Sequence, residues 1–403
     1  MDENQTRQNK IQTPAGMSPI EIWLNFQKSD INRWAFRNID KFIPHDVIPK
    51  SISPLTLGFA PCNISNIRFD NHEGIVISVS EALAYLMVDA LVVVKDHVMV
   101  AEQYYEGMQP DVPHLLFSAS KPFAAAMIAN LIHHGFLHSE NDLLVQYVPE
   151  LMGTAFDGVT IRHLLDMQSG IDIRELDDLA ELERASGFAP PQAHENILST
   201  ALKLNRKKFQ AGQKTDYNSI NTDMLSLLAA RSTGKSAAGL LRQFIFEPMG
   251  AEYDALVIRD PEGINELGGG LAVTARDLVK LGLAMLNDGV INHQQVLPKG
   301  TMRRVFNTAE PKKWRDGWLA NLTPQAKAYR AQLYLCGDEF DSGAFFAVGS
   351  FGNALYMNPL HNTVIALLSS YPTAVDLGRF NTQMAMLREL SNRMSSPRVL
   401  EGI

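Results

Sequence analysis

Ser118, Ala119, Ser120 and Lys121 form an S-x-x-K stretch. On a helix, positions i and i+3 share a face, so Ser118 and Lys121 become neighbours. A serine hydroxyl is a weak nucleophile until a base takes its proton. A lysine serves as that base only where burial disfavours its ammonium form. The flanking Phe117, Phe123 and Ala124 to Ala126 would supply the burial. A helix N-terminus also favours the negative charge that develops there. Pro122 fits a first turn, where its missing N–H costs nothing.

Other stretches compete for a role. Ser232-Thr233-Gly234-Lys235 has the same spacing, but it follows a helix end and contains glycine, so it predicts a helix–helix turn. Ser232 to Ser236 also contains G-K-S, the tail of a phosphate-binding loop. The first glycine of that loop would stand at position 229, which is Ala229, after a helix rather than a strand. Tyr217-Asn218-Ser219 occupies a polar turn. Its tyrosine could pass a proton beside a cation, or simply pack on the core as a loop aromatic. Gly349-Ser350-Phe351-Gly352 precedes a strand. Glycines there would let the backbone approach a ligand, and a free N–H could donate to an oxyanion; a plain β-turn is the other reading.

Several chemistries are disfavoured. His133, His134 and His138 sit at a helix end, and neither HExxH nor H-x-H occurs, so no metal site is expected. The chain has no GxSxG elbow and no GxGxxG fingerprint. Cys62 and Cys336 make neither a disulfide framework nor a CxxC pair. Glu175, Asp177, Asp178, Glu181 and Glu183 predict a solvated helix face, or a patch that attracts an amine-bearing substrate.

The 403 residues are 46% hydrophobic and 20% charged, which suits a globular chain with a large core rather than a disordered one. A net charge of −8 argues against nucleic acid or an anionic membrane as partner. The first residues lack an apolar h-region, and the longest apolar stretch, Ala82 to Val94, is broken by Asp89. A soluble, cytoplasmic protein is the expectation; a homodimer stays open.

The elements that must position these residues follow from periodicity. Residues 1–20 predict a flexible arm, followed by helix around Trp23, Trp34 and Phe36. GIVISVS at 74–80 alternates like a strand, and ALVVVKD with HVMVAEQYYEG predicts a hairpin turning at Lys95 to His97. Helical patterns dominate from about 118 to 290, with Thr160 and Thr274 as N-caps and Gly135 past a helix end. Strands return at 331–337, 353–358 and 363–370, and a last helix fills 374–394. The expected fold is α/β in the α+β sense. One antiparallel sheet comes from both ends of the chain (residues 21–125 and 270–403), and a mostly helical region (126–269) is inserted between. A small-molecule site belongs in the groove between the two.

Taken together, FSASKPF, VTIRHLLDMQSGI, the tyrosine motif, GGGLAVTARDLVKLG and the late glycine strand resemble the serine β-lactamase and penicillin-binding-protein superfamily. Within it the chain looks most like the 6-aminohexanoate-dimer hydrolases and the β-lactamase-like carboxylesterases, over residues 20 to 390. The resemblance implies that Ser118 is the acylated nucleophile, Lys121 its base and Tyr217 the proton relay to the leaving group. It implies an oxyanion hole from the backbone N–H groups of Ser118 and Ser350, and substrate contacts from Gly349 and Phe351. One departure stands out. The Lys-Thr-Gly of β-lactamases is Ala347-Val348-Gly349 here, which removes a cation that helps hold the β-lactam carboxylate.

The expectation is therefore a serine hydrolase that cleaves a linear amide through an acyl-enzyme, with no metal or organic cofactor. A carboxylesterase on short acyl esters is the near alternative. A catalytically silent binding or sensor protein is the alternative of another class, and intact Ser118, Lys121 and Tyr217 argue against it.

Overall fold

Runs of β-branched residues near both ends of the chain meet in one sheet. The structure is a computed structural model that describes residues 14, 16–176, 180–192 and 194–393. Its main sheet has eight strands: β1 (Gly58–Phe59), β2 (Val88–Lys95), β3 (Val98–Tyr104), β4 (Ala326–Arg330), β5 (Leu333–Cys336), β6 (Phe345–Gly349), β7 (Asn353–Asn358) and β8 (Thr363–Ser369). Their order across the sheet is β4-β5-β6-β7-β8-β2-β3-β1. The two chain ends join where β8 pairs antiparallel with β2, Ile365 opposite Val93. Only β1, beside β3, runs parallel to its neighbour.

Side chains along β2 alternate between two cores. Ala90, Val92 and Val94 face one, Leu91 and Val93 the other. A strand covered on both faces reads as a continuous apolar run, which is what ALVVV is. The first core contains the helices Lys121–His133, Ile220–Thr233 and Ala275–Leu286; the second contains the final helix Leu377–Arg393 and the helix Pro19–Asn25. Asp89 interrupts the run and is fully buried. Arg33 (2.9 Å), Arg37, His114 (3.1 Å) and Ser370 (2.5 Å) surround it. Burial pushes its carboxyl up, but hydrogen bonds and charge from His114, Arg37 and Ser370 outweigh that and hold it below the usual range.

Most expected elements form. The hairpin turns at Asp96 and His97, both at positive φ, and Gly135 follows the Lys121 helix at φ +77°. GIVISVS is corrected: only Val76–Ser78 is strand, and a helix occupies Val79–Tyr85. The reason is a capping box, in which Ser78 and Glu81 exchange side-chain-to-backbone hydrogen bonds and start a helix inside the alternation. Most of the arm expected over 1–20 lies outside the described residues; a second capping box, Ser18 with Glu21, opens the first helix. The sequence reading also missed a four-stranded antiparallel sheet of short strands. Its order is His45–Ile48, Ala255–Ile258, Leu271–Val273, His114–Leu115. Among the described residues no helix is long and apolar enough to cross a membrane.

Candidate active site

The small sheet positions the turn that carries Ser118. His114–Leu115 pairs with Leu271–Val273, and the Leu116 N–H donates to the Leu271 carbonyl at 2.9 Å. The chain then bends at Phe117, whose φ of +48° is rare for a bulky residue. Packing holds it there: the Phe117 ring lies 4.9 Å from those of Phe36 and Phe351 and 6.0 Å from that of Phe188. A single 3₁₀ turn, Phe117–Ser120, runs into the helix Lys121–His133. That helix is buried nearly all round, so its first residue enters the interior.

Lys121 is 1% exposed, and three oxygens surround its Nζ. It lies 2.8 Å from Ser118 Oγ and 3.1 Å from Ser219 Oγ, and it donates to the Gly268 carbonyl in a close contact. A neutral amine has two N–H donors and one lone pair. If the amine is neutral and Gly268 and Ser219 accept its two N–H groups, its lone pair is left for the Ser118 hydroxyl. The Tyr217 ring centroid is 5.1 Å from the same Nζ. Tyr217 packs against Tyr329 at 5.7 Å and Tyr334 at 6.3 Å. Burial first, and Tyr217 second, push the Tyr329 and Tyr334 hydroxyls well up, so both remain protonated beside it.

Gly349 ends β6 against the turn that carries Ser118. A Cβ there would lie 2.2 Å from the Leu116 carbonyl oxygen and 3.1 Å from the Ser118 nitrogen, so only glycine permits this approach. Ser350 is thereby brought next to Ser118, and both line two pockets. One, about 240 Å³, is mainly apolar, with Tyr217, Trp318, Leu319, Tyr334, Val348 and Phe380 in its walls. The other, about 200 Å³, is polar and includes Asn218, Ser219, Asp223, Glu266 and, at its exposed edge, Glu183. A larger cavity of about 530 Å³, lined in part by Ala125, Ile132 and His133, does not include Ser118.

Not every expected residue joins the site. Phe351 is corrected: its ring is 1% exposed, packed on Phe36 and Phe117, and lines neither pocket. Its left-handed backbone, φ +62°, accompanies a ring turned into the aromatic core. Ser232 and Lys235 stay apart from the site. Ser232 Oγ bonds the Ala229 carbonyl, and the exposed Lys235 reaches Gln243. Of the acidic run, Glu181 is buried and bonded to Lys203 and Thr200 rather than solvated. Asp177 and Asp178 lie outside the described residues. Among the described residues no group of His, Cys, Asp and Glu side chains is placed to hold a metal ion.

Asp223 and Glu266 escaped sequence reasoning, whereas Ser219 enters it only within the Tyr217 motif and Gly268 only within GGGLAVTARDLVKLG. Asp223 and Glu266 are buried and adjoin each other: a Cβ on Gly268 would fall 2.5 Å from Glu266 Oε1 and 3.1 Å from Asp223 Oδ1. Burial pushes the Asp223 carboxyl up to about 6, and burial together with Asp223 raises that of Glu266 well above the usual range. The i, i+4 spacing of Ser219 and Asp223 and the Gly268–Gly270 run were the available signals.

Known proteins resemble this chain along most of its length. The Beta-lactamase family matches residues 86–385. The 6-aminohexanoate-dimer hydrolase of Paenarthrobacter ureafaciens is 27% identical over 98% of this chain and all of its own length. A solved structure described as a candidate 6-aminohexanoate-dimer hydrolase from Bacillus anthracis superposes with a TM-score of 0.83 at 24% identity, covering 95% of this chain and 98% of its own. A family VIII carboxylesterase superposes at 0.57 with 14% identity, over 77% of this chain and 96% of its own.

Proposed function

From the premise that this chain belongs to the Beta-lactamase family and is a serine hydrolase, we propose that it cleaves linear amides through an acyl-enzyme on Ser118. The observation that carries the reading is the buried Lys121 amine, 2.8 Å from Ser118 Oγ, where two pockets meet.

In this reading Lys121 takes the hydroxyl proton as Ser118 Oγ attacks the substrate carbonyl. The Ser118 and Ser350 N–H groups donate to the oxyanion as the tetrahedral centre forms. Tyr217 delivers a proton to the departing nitrogen, so the leaving group lies on its side, in the apolar pocket. The Lys121 ammonium returns its proton to Tyr217. Water then attacks the ester carbonyl and gives a proton to Lys121, and Lys121 passes that proton to Ser118 Oγ as the C–O bond breaks, which restores both residues. The acyl half occupies the polar pocket.

Charge narrows the substrate class. Among the described residues lining the two pockets there is no lysine or arginine; the charged ones are Glu183, Asp223, Glu266 and Asp376. An acyl group ending in an amine suits Glu183, as an aminohexanoyl unit would. Ala347 is buried in the core where β-lactamases carry their cation, so the carboxylate of a β-lactam finds no partner there. A carboxylesterase remains the second reading, favoured by the apolar walls around Trp318 and Tyr334.

The test is a panel of p-nitrophenyl esters, nitrocefin and aminohexanoyl amides. Linear amides and esters are expected to turn over, and nitrocefin poorly. Nitrocefin outrunning both would overturn the substrate reading. Mass spectrometry after a fluorophosphonate probe should place the adduct on Ser118.

A further inference from the structure

We propose that Asp223 and Glu266 share one proton, and that the pair is a positioning device which clamps the Gly268–Gly269 backbone holding Lys121 in place. The proposal rests on the reading of Lys121 as the base.

Three features converge on it. First, the two carboxyls crowd one point: a Cβ on Gly268 would lie 2.5 Å from Glu266 Oε1 and 3.1 Å from Asp223 Oδ1, and both residues are buried, so two full negative charges there would repel and one proton between them relieves it. Second, each carboxyl also holds one link of the same backbone. The Gly268 N–H donates to Asp223 Oδ1 at 3.2 Å, and the Gly269 N–H donates to Glu266 Oε2 at 2.8 Å. The carbonyl of Gly268 is the group that accepts from Lys121 Nζ. Third, the glycines are there for the acids. A Cβ on Gly268 would fall 2.5 Å from Glu266 Oε1, and one on Gly270 would fall 2.6 Å from Glu266 Oε2. Gly268 and Gly270 thus leave the space the buried carboxyls occupy, while a Cβ on Gly269 would meet Phe188 and Phe117 instead.

The charge balance fits the chemistry. With one proton the pair carries a single negative charge. Lys121 faces it from the nucleophile helix; Asp260 stands toward Asp223, and Glu183 lies across the pocket. On attack, the Ser118 O–H bond breaks and an N–H bond forms on Lys121. The new ammonium is then offset by the pair. If the shared proton is lost, two buried carboxylates repel, the Gly268 carbonyl shifts, and a second negative charge ties Lys121 up as ammonium. Acylation should therefore fall as pH rises through the pair's upper titration.

Glu266→Gln tests this directly. Its amide can donate to Asp223 and accept from Gly269, with no proton to lose. We expect single-turnover acylation within about threefold of the native chain, and an alkaline fall that is absent or moved to higher pH. Glu266→Ala takes the neighbouring carboxyl from Asp223 and leaves the Gly269 N–H unpartnered, and should cost roughly 10- to 100-fold, with an unchanged circular dichroism spectrum. Difference infrared spectroscopy of the native chain should show a protonated carboxyl band that Glu266→Gln removes. Absence of that band, or an identical alkaline limb in Glu266→Gln, overturns the proposal. The band does not depend on turnover, so it reports on the pair even if Ser118 is not acylated and the proposed function fails.

Discussion

The chain contains S-x-x-K twice, and the two copies share only their spacing. Ser118 and Lys121 stand where a short sheet delivers a strained turn into the interior, and the lysine is buried among oxygens. Ser232 and Lys235 stand where a helix ends. Gly234 caps that helix in the left-handed conformation, φ +69°, and Lys235 points to solvent. At the first copy the serine hydroxyl has the buried Lys121 amine 2.8 Å away. At the second it returns its hydrogen bond to its own helix, and the cation bonds a surface glutamine. Spacing brings two side chains to one face of a helix. What surrounds that face decides whether they do chemistry.

The sharpest way to break the comparison is to remove function from each copy in turn. Ser118→Ala should abolish acylation and probe labelling. Lys121→Arg keeps a cation but cannot become a neutral base, and should cost about 10²–10⁴-fold in single-turnover acylation. Ser232→Ala and Lys235→Ala should stay within about twofold, as surface changes away from a site usually do. Near-normal acylation in Lys121→Arg would reduce that lysine to a charge and make Tyr217 the first candidate for the base.

Tyr217→Phe sharpens what surrounds the first copy. An amine leaves poorly without a proton, whereas a phenolate leaves without one. The variant should therefore lose about 10²-fold on an amide and roughly tenfold or less on a p-nitrophenyl ester. Equal losses on both would remove Tyr217 from leaving-group protonation. Gly349→Ala comes next. Its Cβ would collide with the Leu116 carbonyl, displacing β6 and the Ser350 N–H, and acylation should fall roughly 10- to 100-fold with binding less affected. A change under threefold would place the oxyanion donors elsewhere.

The smallest effect belongs to the second copy. At Gly234 a Cβ meets nothing within 4 Å, so the cost of Gly234→Ala is purely the left-handed backbone, about 1 kcal/mol of stability. Denaturation midpoints should drop slightly while turnover is untouched. A loss of activity there would mean that the two copies communicate.

The pattern of residues determined a good deal by itself. The runs at 88–95, 353–358 and 363–369 form buried strands, because a sheet covered on both faces absorbs short, mostly apolar sequence of that length. Capping residues Thr160 and Thr274 marked helix starts, since a side-chain oxygen there satisfies backbone N–H groups the helix leaves open. Ser118, Lys121, Tyr217 and Gly349 were legible as candidates because their types limit what they can do. Tertiary structure decided the rest. Strands of two to four residues, such as His114–Leu115, carry too little periodicity to be read, yet they aim the turn that carries Ser118. Phe351, expected to contact substrate, is core instead, because its neighbours Phe36 and Phe117 arrive from distant parts of the chain. The Asp223–Glu266 pair is 43 positions apart (266 − 223). Nothing local joins the two residues, and only the fold removes the water that would otherwise keep both ionised and apart.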